Sequence, residues 1–168
     1  RKSVETLGRL QALPALPVIA ECLADPDGYL VENAVWAIGE IGTDDVQILE
    51  EISQLLDKSA QSYRAIIQAL AKLDYKPALE RIRKFVDNSD LSLSSAAITA
   101  VCRLTRDNSQ MDKVVDLLHN GNVIARRLSI QDLIDANYYA AIPDISTSPV
   151  SIVFRLRGIR MLGEQGFK

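Results

Sequence analysis

The sequence has few of the side chains that build a catalytic centre by themselves. Its 168 residues include one histidine, His119, and two cysteines, Cys22 and Cys102. A single histidine excludes a histidine-based catalytic triad and a zinc site assembled from several histidines. Two cysteines are too few for a disulfide framework and suit a reducing compartment, and neither has the setting of an activated thiolate. We therefore predict no metal site, and we expect structural roles for all three residues.

Other absences narrow the class of protein further. Aromatic residues make up 5% of the chain and the formal net charge is −3, which disfavours binding of double- or single-stranded nucleic acid. No uncharged apolar run approaches the roughly 18 residues of a membrane span, and no glycine-rich phosphate loop occurs. There is no signal peptide, and the chain opens without an initiator methionine inside a periodic segment. We therefore expect a cytoplasmic protein of which these residues form a part.

One short pattern returns along the whole chain. It consists of a small residue, a large apolar residue, a small or apolar residue and a polar residue, usually followed by another apolar one. This order is typical of the inner half of an amphipathic helix. The copies stand 29 to 32 residues apart, and they begin at Thr6, Ala37, Ala69, Ala100, Asp132 and Met161.

A second series of apolar segments lies between these copies, at residues 20–25, 52–57, 82–87 and 114–119. Short breaks rich in Asp, Asn, Ser and Gly separate the two series, and such residues cap helices and form turns. No segment alternates with period two over a useful length, so we predict no strand. The chain is thus expected to alternate inner helices, from the first series, with outer helices, from the second.

This organisation predicts an all-α fold. Since one helix pair cannot bury its own apolar face, neighbouring pairs must stack. The tetratricopeptide pattern and the ankyrin Thr-Pro-Leu-His motif are both absent, which leaves a HEAT-like or armadillo-like stack. We predict a right-handed α-solenoid of about five short HEAT-like helix pairs with a period near 31, forming a single domain over residues 1–168.

The pattern changes near the end of the chain. Residues 138–148 replace the next outer helix, and Pro143 would break a helix if it lay inside one. We therefore expect an irregular connection there. Thr147-Ser148-Pro149 is typical of an N-cap followed by a first-turn proline, so the final inner helix is predicted from about Pro149 to Gly163. This helix either caps the array or offers a surface to another chain.

The inner helices are predicted to line the concave face with polar residues of both signs. Trp36 is the one large aromatic among them, and it either packs against the helix of the next repeat or anchors a partner or a conjugated ligand. The arginines either pair with acidic residues of neighbouring repeats or bind carboxylates in bidentate fashion. The arginines in question are Arg64, Arg126, Arg127, Arg155 and Arg157.

Several copies of the repeat carry runs with a recognisable composition. They are Asn33–Gly42, Tyr63–Ala71, Arg126–Asp135 and Arg155–Gly163, and Ser148-Pro149-Val150-Ser151 leads into the last of them. These runs resemble the HEAT-like repeats of the E/F-type phycobilin lyases of cyanobacteria, and the resemblance covers essentially the whole chain. The larger subunit of such pairs is longer than this chain, so the resemblance implies the smaller subunit or a piece of a larger one.

The resemblance implies an activity and partners. Such proteins join an open-chain tetrapyrrole to a cysteine of a phycobiliprotein through a thioether, and some also isomerise the bilin. The bilin, phycocyanobilin or phycoerythrobilin, would be a substrate and not a prosthetic group. The partners would be the phycobiliprotein subunit and a second HEAT-like lyase subunit. Because the nucleophilic thiol belongs to the acceptor, the lyase would act by positioning, with one acid to assist protonation.

Within this resemblance we assign roles to seven residues. The catalytic candidates are Asp135 and Asp132, of which one faces the pyrrole nitrogens; Asp132 also fits an inward-facing position, because its equivalents are alanines. Arg64 and Arg127 would bind the propionates, Trp36 would stack on a ring or on the partner subunit, and Gln68 and Gln131 would line the site.

A non-catalytic function stays open beside the lyase. A HEAT-like array also suits a scaffold or chaperone that docks phycobiliproteins for assembly or degradation, and the fold does not decide between the two.

Overall fold

The computed structural model describes residues 1–58 and 62–166, and this part of the chain contains α-helices and short 3-10 turns but no strand. Within these ranges no helix combines the length and the apolar composition that crossing a membrane requires. The helices, in chain order, are α1 Lys2–Arg9, α2 Leu16–Glu21, α3 Gly28–Ile41, α4 Val46–Gln54, α5 Tyr63–Lys72, α6 Leu79–Arg83, α7 Leu91–Thr105, α8 Met111–Asn120, α9 Val123–Asp135, α10 Ile142–Thr147 and α11 Ile152–Gly166.

Side-chain caps begin four of these helices at the breaks that the sequence pattern indicates. Asp27 accepts a hydrogen bond from the backbone N–H of Tyr29 and caps α3. Asp45, Asp90 and Asn122 cap α4, α7 and α9 in the same way. Each cap satisfies backbone donors that the first turn of a helix leaves without a partner, which is why the helices start at these residues.

The contacts divide the chain into two units, Arg1–Ile82 and Arg83–Lys168. In the first unit, α1, α3 and α5 pack side by side as inner helices. Its core contains the fully buried residues Ile19, Ile38, Ile52, Ile67 and Leu70.

In the second unit, α7, α9 and α11 are the inner helices, with α8 and α10 packed outside them. Its core contains Met111, Leu118, Leu133, Ile134, Ile145 and Leu162. A buried side chain of this size contributes about 1.5–3 kcal/mol, so in each unit the stripe of large apolar residues supplies the main stabilisation. The single domain of residues 1–168 stays a prediction.

The turns reveal a longer repeat of 63 residues. Gln11, Asp74 and Asn137 have positive φ values of 50°, 52° and 52° and stand 63 residues apart. Each follows an inner helix, and in each case the next residue donates its backbone N–H to a carbonyl five residues earlier, as Tyr75 does to Leu70. This is the Schellman arrangement, which closes the end of a helix. A 3-10 turn and a short outer helix follow at α2, α6 and α10.

The connection that we predict to be irregular over residues 138–148 is instead an outer helix. Residues Tyr139–Ala141 form a 3-10 turn, and Pro143 lies in the first turn of α10, where its missing N–H costs no hydrogen bond. The prediction is wrong because Pro143 lies in the first turn of the helix and not in its interior. The final inner helix begins at Ile152, not near Pro149, and extends to Gly166.

Candidate functional site

Trp36 is half-buried and its ring lies over Gly8 of α1. A Cβ atom built on Gly8 would come within 2.8 Å of Cζ3 of Trp36, so the glycine makes room for the indole. Trp36 therefore packs against the preceding inner helix. This packing holds the indole in one orientation while part of the side chain stays accessible.

Polar contacts connect the neighbouring inner helices α3 and α5 in the first unit. Glu40 forms an ion pair with Lys72, and Glu32 accepts a hydrogen bond of 2.5 Å from the hydroxyl of Ser62. Arg64 and Gln68 are half-buried and lie one turn apart on α5. The polar face that the sequence predicts is thus present in this unit and carries both signs of charge.

In the second unit, three of the predicted site residues follow one another along a single face of α9. Arg127, Gln131 and Asp135 are spaced four residues apart, which places them on one side of a helix. The side-chain amide of Gln131 donates a hydrogen bond of 2.8 Å to Oδ1 of Asp135. Arg127 is exposed, and Cζ of its guanidinium lies 4.8 Å from the ring centroid of Phe154 on α11. This row offers a cation, an amide and a carboxyl group in fixed order.

Asp132 takes a different position from its neighbours in sequence. Its side chain is 1% exposed, and Oδ2 accepts a hydrogen bond of 2.6 Å from the hydroxyl of Ser95 on α7. The structure therefore places Asp132 in the inward-facing position that the alanines at the equivalent positions of other repeats indicate. Of the two candidate carboxyl groups, Asp135 is the one that reaches the surface.

Two arginines bind backbone carbonyls instead of carboxylates. Arg126 donates to the carbonyl of His119 at 3.2 Å, and Arg155 donates to the carbonyl of Ser146 at 2.8 Å. Both acceptors lie in the last turn of an outer helix, where carbonyls lack helical partners. Neither of our two interpretations of these arginines, acidic partners or ligand carboxylates, describes these bonds. Arg157 is exposed.

The cysteine and the histidine of this unit have structural surroundings. Burial, with Asp107 nearby, raises the pKa of the Cys102 thiol, which keeps it protonated and unreactive. Nε2 of His119 lies 3.3 Å from Oδ1 of Asp144 on α10. Across residues 1–58 and 62–166, no three His, Cys, Asp or Glu side chains are grouped in a way that would hold a metal ion.

The sequence pattern does not single out two residues that contact α9, Ser95 beside Asp132 and Phe154 beside Arg127. Ser95 holds the position of the repeat that Arg64 and Arg127 hold in other copies. Phe154 belongs to the segment that leads into Arg157, and its spacing gave no sign that it would lie under Arg127. Both contacts join residues of neighbouring inner helices, so only the packing of the helices reveals them.

No family model matches the chain, but several known proteins and a solved structure are similar to it. The "Uncharacterized phycocyanin operon protein Y" of Pseudanabaena tenuis (strain PCC 7409) is 71% identical over 168 residues, 100% of this chain and 40% of that protein. The "Bilin biosynthesis protein CpeY" of Synechococcus sp. (strain WH8020) is 35% identical over 98% of this chain and 39% of its own length. The chain thus spans about two fifths of the length of these relatives.

The "Phycocyanobilin lyase subunit alpha" of Picosynechococcus sp. (strain ATCC 27264 / PCC 7002 / PR-6) is 26% identical over 84% of this chain and 57% of that protein. A solved structure, the complex of CpcE and CpcF of phycocyanin lyase from Nostoc sp. PCC7120, matches with a TM-score of 0.85. The match covers 96% of this chain and 65% of the solved chain at 24% identity, and it shows the shared fold.

The all-α fold of HEAT-like helix pairs is therefore confirmed, while the number of about five pairs and the right-handed winding stay predictions. Sequence and fold agree with the resemblance that the repeats indicate. In sequence and in fold, this chain is similar to HEAT-like repeat phycobilin lyase subunits of the E/F type.

Proposed function

We propose that this chain acts in a bilin lyase subunit, which binds an open-chain tetrapyrrole and promotes its thioether attachment to a cysteine of a phycobiliprotein. The observation that carries the proposal is the row of Arg127, Gln131 and Asp135 on one face of α9. The names of the relatives, which include a bilin biosynthesis protein and a phycocyanobilin lyase subunit, support the same activity. A second lyase subunit and the phycobiliprotein would be its partners.

The chemistry suits a protein without a nucleophile of its own. The thiol of the acceptor adds across an exocyclic double bond of the bilin, so that a carbon–sulfur bond forms and the neighbouring carbon gains a proton. No group leaves and no oxidant is consumed. The lyase must hold the bilin in one conformation near the thiol and supply one acidic group, and positioning of this kind lowers a barrier substantially.

The row on α9 provides these two elements. Arg127 would bind a propionate of the bilin, because a guanidinium matches a carboxylate with two parallel hydrogen bonds. The contact with Phe154 holds that guanidinium in place before the ligand arrives. Asp135 would face the pyrrole nitrogens and assist protonation, and the hydrogen bond from Gln131 orients its carboxyl group.

The first unit would provide further contacts to the same class of ligand. Trp36 offers a flat surface for a conjugated ring, and its packing on Gly8 fixes the plane of the indole. Arg64 would bind a propionate, and Gln68, one turn further along α5, would be polar lining. We propose these roles for each residue separately.

The test is bilin binding and transfer with two variants and a matched control. Phycocyanobilin is mixed with the protein and its visible absorption is recorded, and transfer is then followed after adding an acceptor phycobiliprotein and a partner subunit. Arg127→Ala should weaken bilin binding about tenfold, as expected for the loss of a charge-assisted pair. Asp135→Asn should leave binding nearly unchanged and slow transfer about a hundredfold.

Arg157→Ala is the control, because it removes another exposed arginine, from α11. It should behave as the wild type does. Full binding and transfer in both Arg127→Ala and Asp135→Asn would remove these roles. A protein that binds the acceptor but leaves the absorption of phycocyanobilin unchanged would be the scaffold or chaperone instead.

A further inference from the structure

A buried hydrogen bond joins the two inner helices beneath the row on α9. The hydroxyl of Ser95 on α7 donates to Oδ2 of Asp132 on α9 at 2.6 Å, and both side chains are 1% exposed. It is a fully buried hydrogen bond between side chains of neighbouring inner helices.

In the first unit, alanines occupy the positions that correspond to Asp132, and they pack against glycines of the preceding inner helix. A Cβ on Gly8 would meet Ala37, and a Cβ on Gly39 would meet Ala69 at 3.4 Å. Such contacts allow close approach but do not define how far a helix turns about its own axis. Asp132 occupies the position of these alanines, and a buried carboxyl group is unfavourable unless it keeps directional hydrogen bonds. The bond to Ser95 therefore specifies a rotation of α9 that an alanine would leave open.

This rotation decides where the candidate site points. Gln131 precedes Asp132 directly and Asp135 follows it by three residues, so all three side chains turn together with the helix. A small rotation of α9 would move the amide of Gln131 and the carboxyl group of Asp135 away from a bound ligand. Distances between reacting groups matter at the level of 1 Å, so a device that fixes the rotation has a direct consequence for binding and transfer.

We propose that Ser95 and Asp132 are positioning residues, which set the rotation of α9 against α7 and thereby direct Gln131 and Asp135 toward the bilin. The assignment rests on the proposed function for the identity of the ligand. The orientation of Gln131 and Asp135 can be measured without any ligand.

Three variants test this assignment. Ser95→Ala removes the donor. Asp132→Asn keeps an oxygen acceptor of the same shape and should retain the bond, so this conservative variant should behave like the wild type. Ser129→Ala is the matched control, because Ser129 is fully buried on α9 and its hydroxyl donates at 2.9 Å to the carbonyl of Arg126 within the same helix.

The first measurement is ligand-free. The side-chain amide of Gln131 is followed by nuclear magnetic resonance, with the assignment taken from its loss in Gln131→Glu. Ser95→Ala should shift this resonance while the helical circular dichroism stays that of the wild type, and Asp132→Asn and Ser129→Ala should leave it in place. An unshifted resonance in Ser95→Ala, or an equal shift in Ser129→Ala, would overturn the assignment.

The second measurement uses phycocyanobilin. Ser95→Ala should displace the visible absorption maximum of the bound pigment and weaken its binding about three- to tenfold, whereas Asp132→Asn should leave both as in the wild type. Unchanged absorption and affinity in Ser95→Ala would contradict a role in directing the bilin. If the wild type itself leaves the pigment spectrum unchanged, the proposed function fails, and the amide of Gln131 still decides whether the pair positions α9.

Discussion

Gly8 and Trp36 share one space between α1 and α3. A Cβ on Gly8 would lie 2.8 Å from Cζ3 of Trp36 and 2.9 Å from Cα of Ala37, so the indole and the backbone of α3 fill the volume that a side chain would take. An indole packed in this way loses little freedom when a ligand or a partner covers its exposed part. Packing on Gly8 would thus reduce the conformational entropy that Trp36 loses when a ligand or a partner binds to it.

The first prediction concerns this close approach. Gly8→Ala should destabilise the protein by about 1–3 kcal/mol, because the nearest atoms include backbone that can only yield if the two helices separate. Trp36 is the only tryptophan of the chain, so its fluorescence reports unfolding by urea and the change in its surroundings.

Gly163 is the matched control for this substitution. It lies in α11 at the corresponding position of the repeat, and a Cβ there would meet nothing within 4 Å. Gly163→Ala should therefore stabilise by about 0.5–1 kcal/mol, since alanine favours a helix more than glycine does. If both substitutions had the same sign, the packing of Trp36 over Gly8 would not explain the glycine.

The sequence predicts which residues share one face of an inner helix better than it predicts which helix that face contacts. The residues Trp36, Gln68 and Gln131 hold the same position in three copies of the repeat, and each lies on an inner helix. The prediction succeeds because the period of an α-helix decides which residues share a face. Which helix Trp36 covers depends on the absence of a side chain at Gly8, and that is a property of two helices together. The sequence does predict the inward position of Asp132 as one of two alternatives, since alanines occupy the equivalent positions of other repeats.

A second prediction concerns the arginines that close the outer helices. Arg155→Ala should lower the stability by about 0.5–1 kcal/mol, because it removes the bond to the carbonyl of Ser146. The value lies at the low end of the usual range, since Nε of Arg155 is buried without a hydrogen-bond partner in the described part of the chain. Urea unfolding followed by circular dichroism measures the difference.

Arg157→Ala provides the comparison, because the side chain is exposed on the same helix. It should change stability by less than about 0.5 kcal/mol. Equal losses in the two variants would mean that the lost charge, and not the bond to the carbonyl of Ser146, explains the effect.

The outer helix at residues 142–147 illustrates a limit of reading single residues. Pro143 breaks a helix interior but fits a first turn, and the period near 31 does not say which of these applies. Asn137 and Tyr139 correspond to Asp74 and Lys76, 63 residues earlier. A turn of the same kind precedes α6 there, and this correspondence favours a first-turn position for Pro143. The residues that adopt positive φ differ from copy to copy and do not show the period of 63, but the sequence Pro-Ala-Leu recurs at that spacing in residues 14–16 and 77–79.

A third prediction concerns stability at acidic pH. The hydroxyl of Tyr75 donates to Oε2 of Glu50 at 3.0 Å, and this bond, followed by one from Gln54, holds the pKa of Glu50 below its ordinary value of 4.5. A carboxyl group with a lowered pKa in the folded state contributes stability above pH 4.5 and loses it as the pH falls through the folded value. Tyr75→Phe removes the main cause, so its destabilisation should be largest near neutral pH and shrink below pH 4.5.

Urea unfolding at several pH values between 7 and 3 measures this dependence. Tyr29→Phe is the control, because Tyr29 is 61% exposed and its ring keeps its contact with Arg1 without the hydroxyl. It should show no dependence on pH. A destabilisation by Tyr75→Phe that stays constant down to pH 3 would mean that burial of the ring, and not its bond to Glu50, makes the contribution.

The last prediction concerns the end of α7, where Arg106 adopts a left-handed conformation with φ of 66°. Its N–H donates to the carbonyl of Cys102, so the residue closes the helix although its side chain disfavours this backbone. Arg106→Gly should therefore stabilise by up to about 1 kcal/mol. Arg103→Gly, three residues earlier and inside α7, should destabilise by about 1 kcal/mol, because glycine loses more freedom in a helix. Thermal and urea unfolding of the two variants measure opposite signs for the same chemical change, and a loss of stability in both would contradict the strained turn.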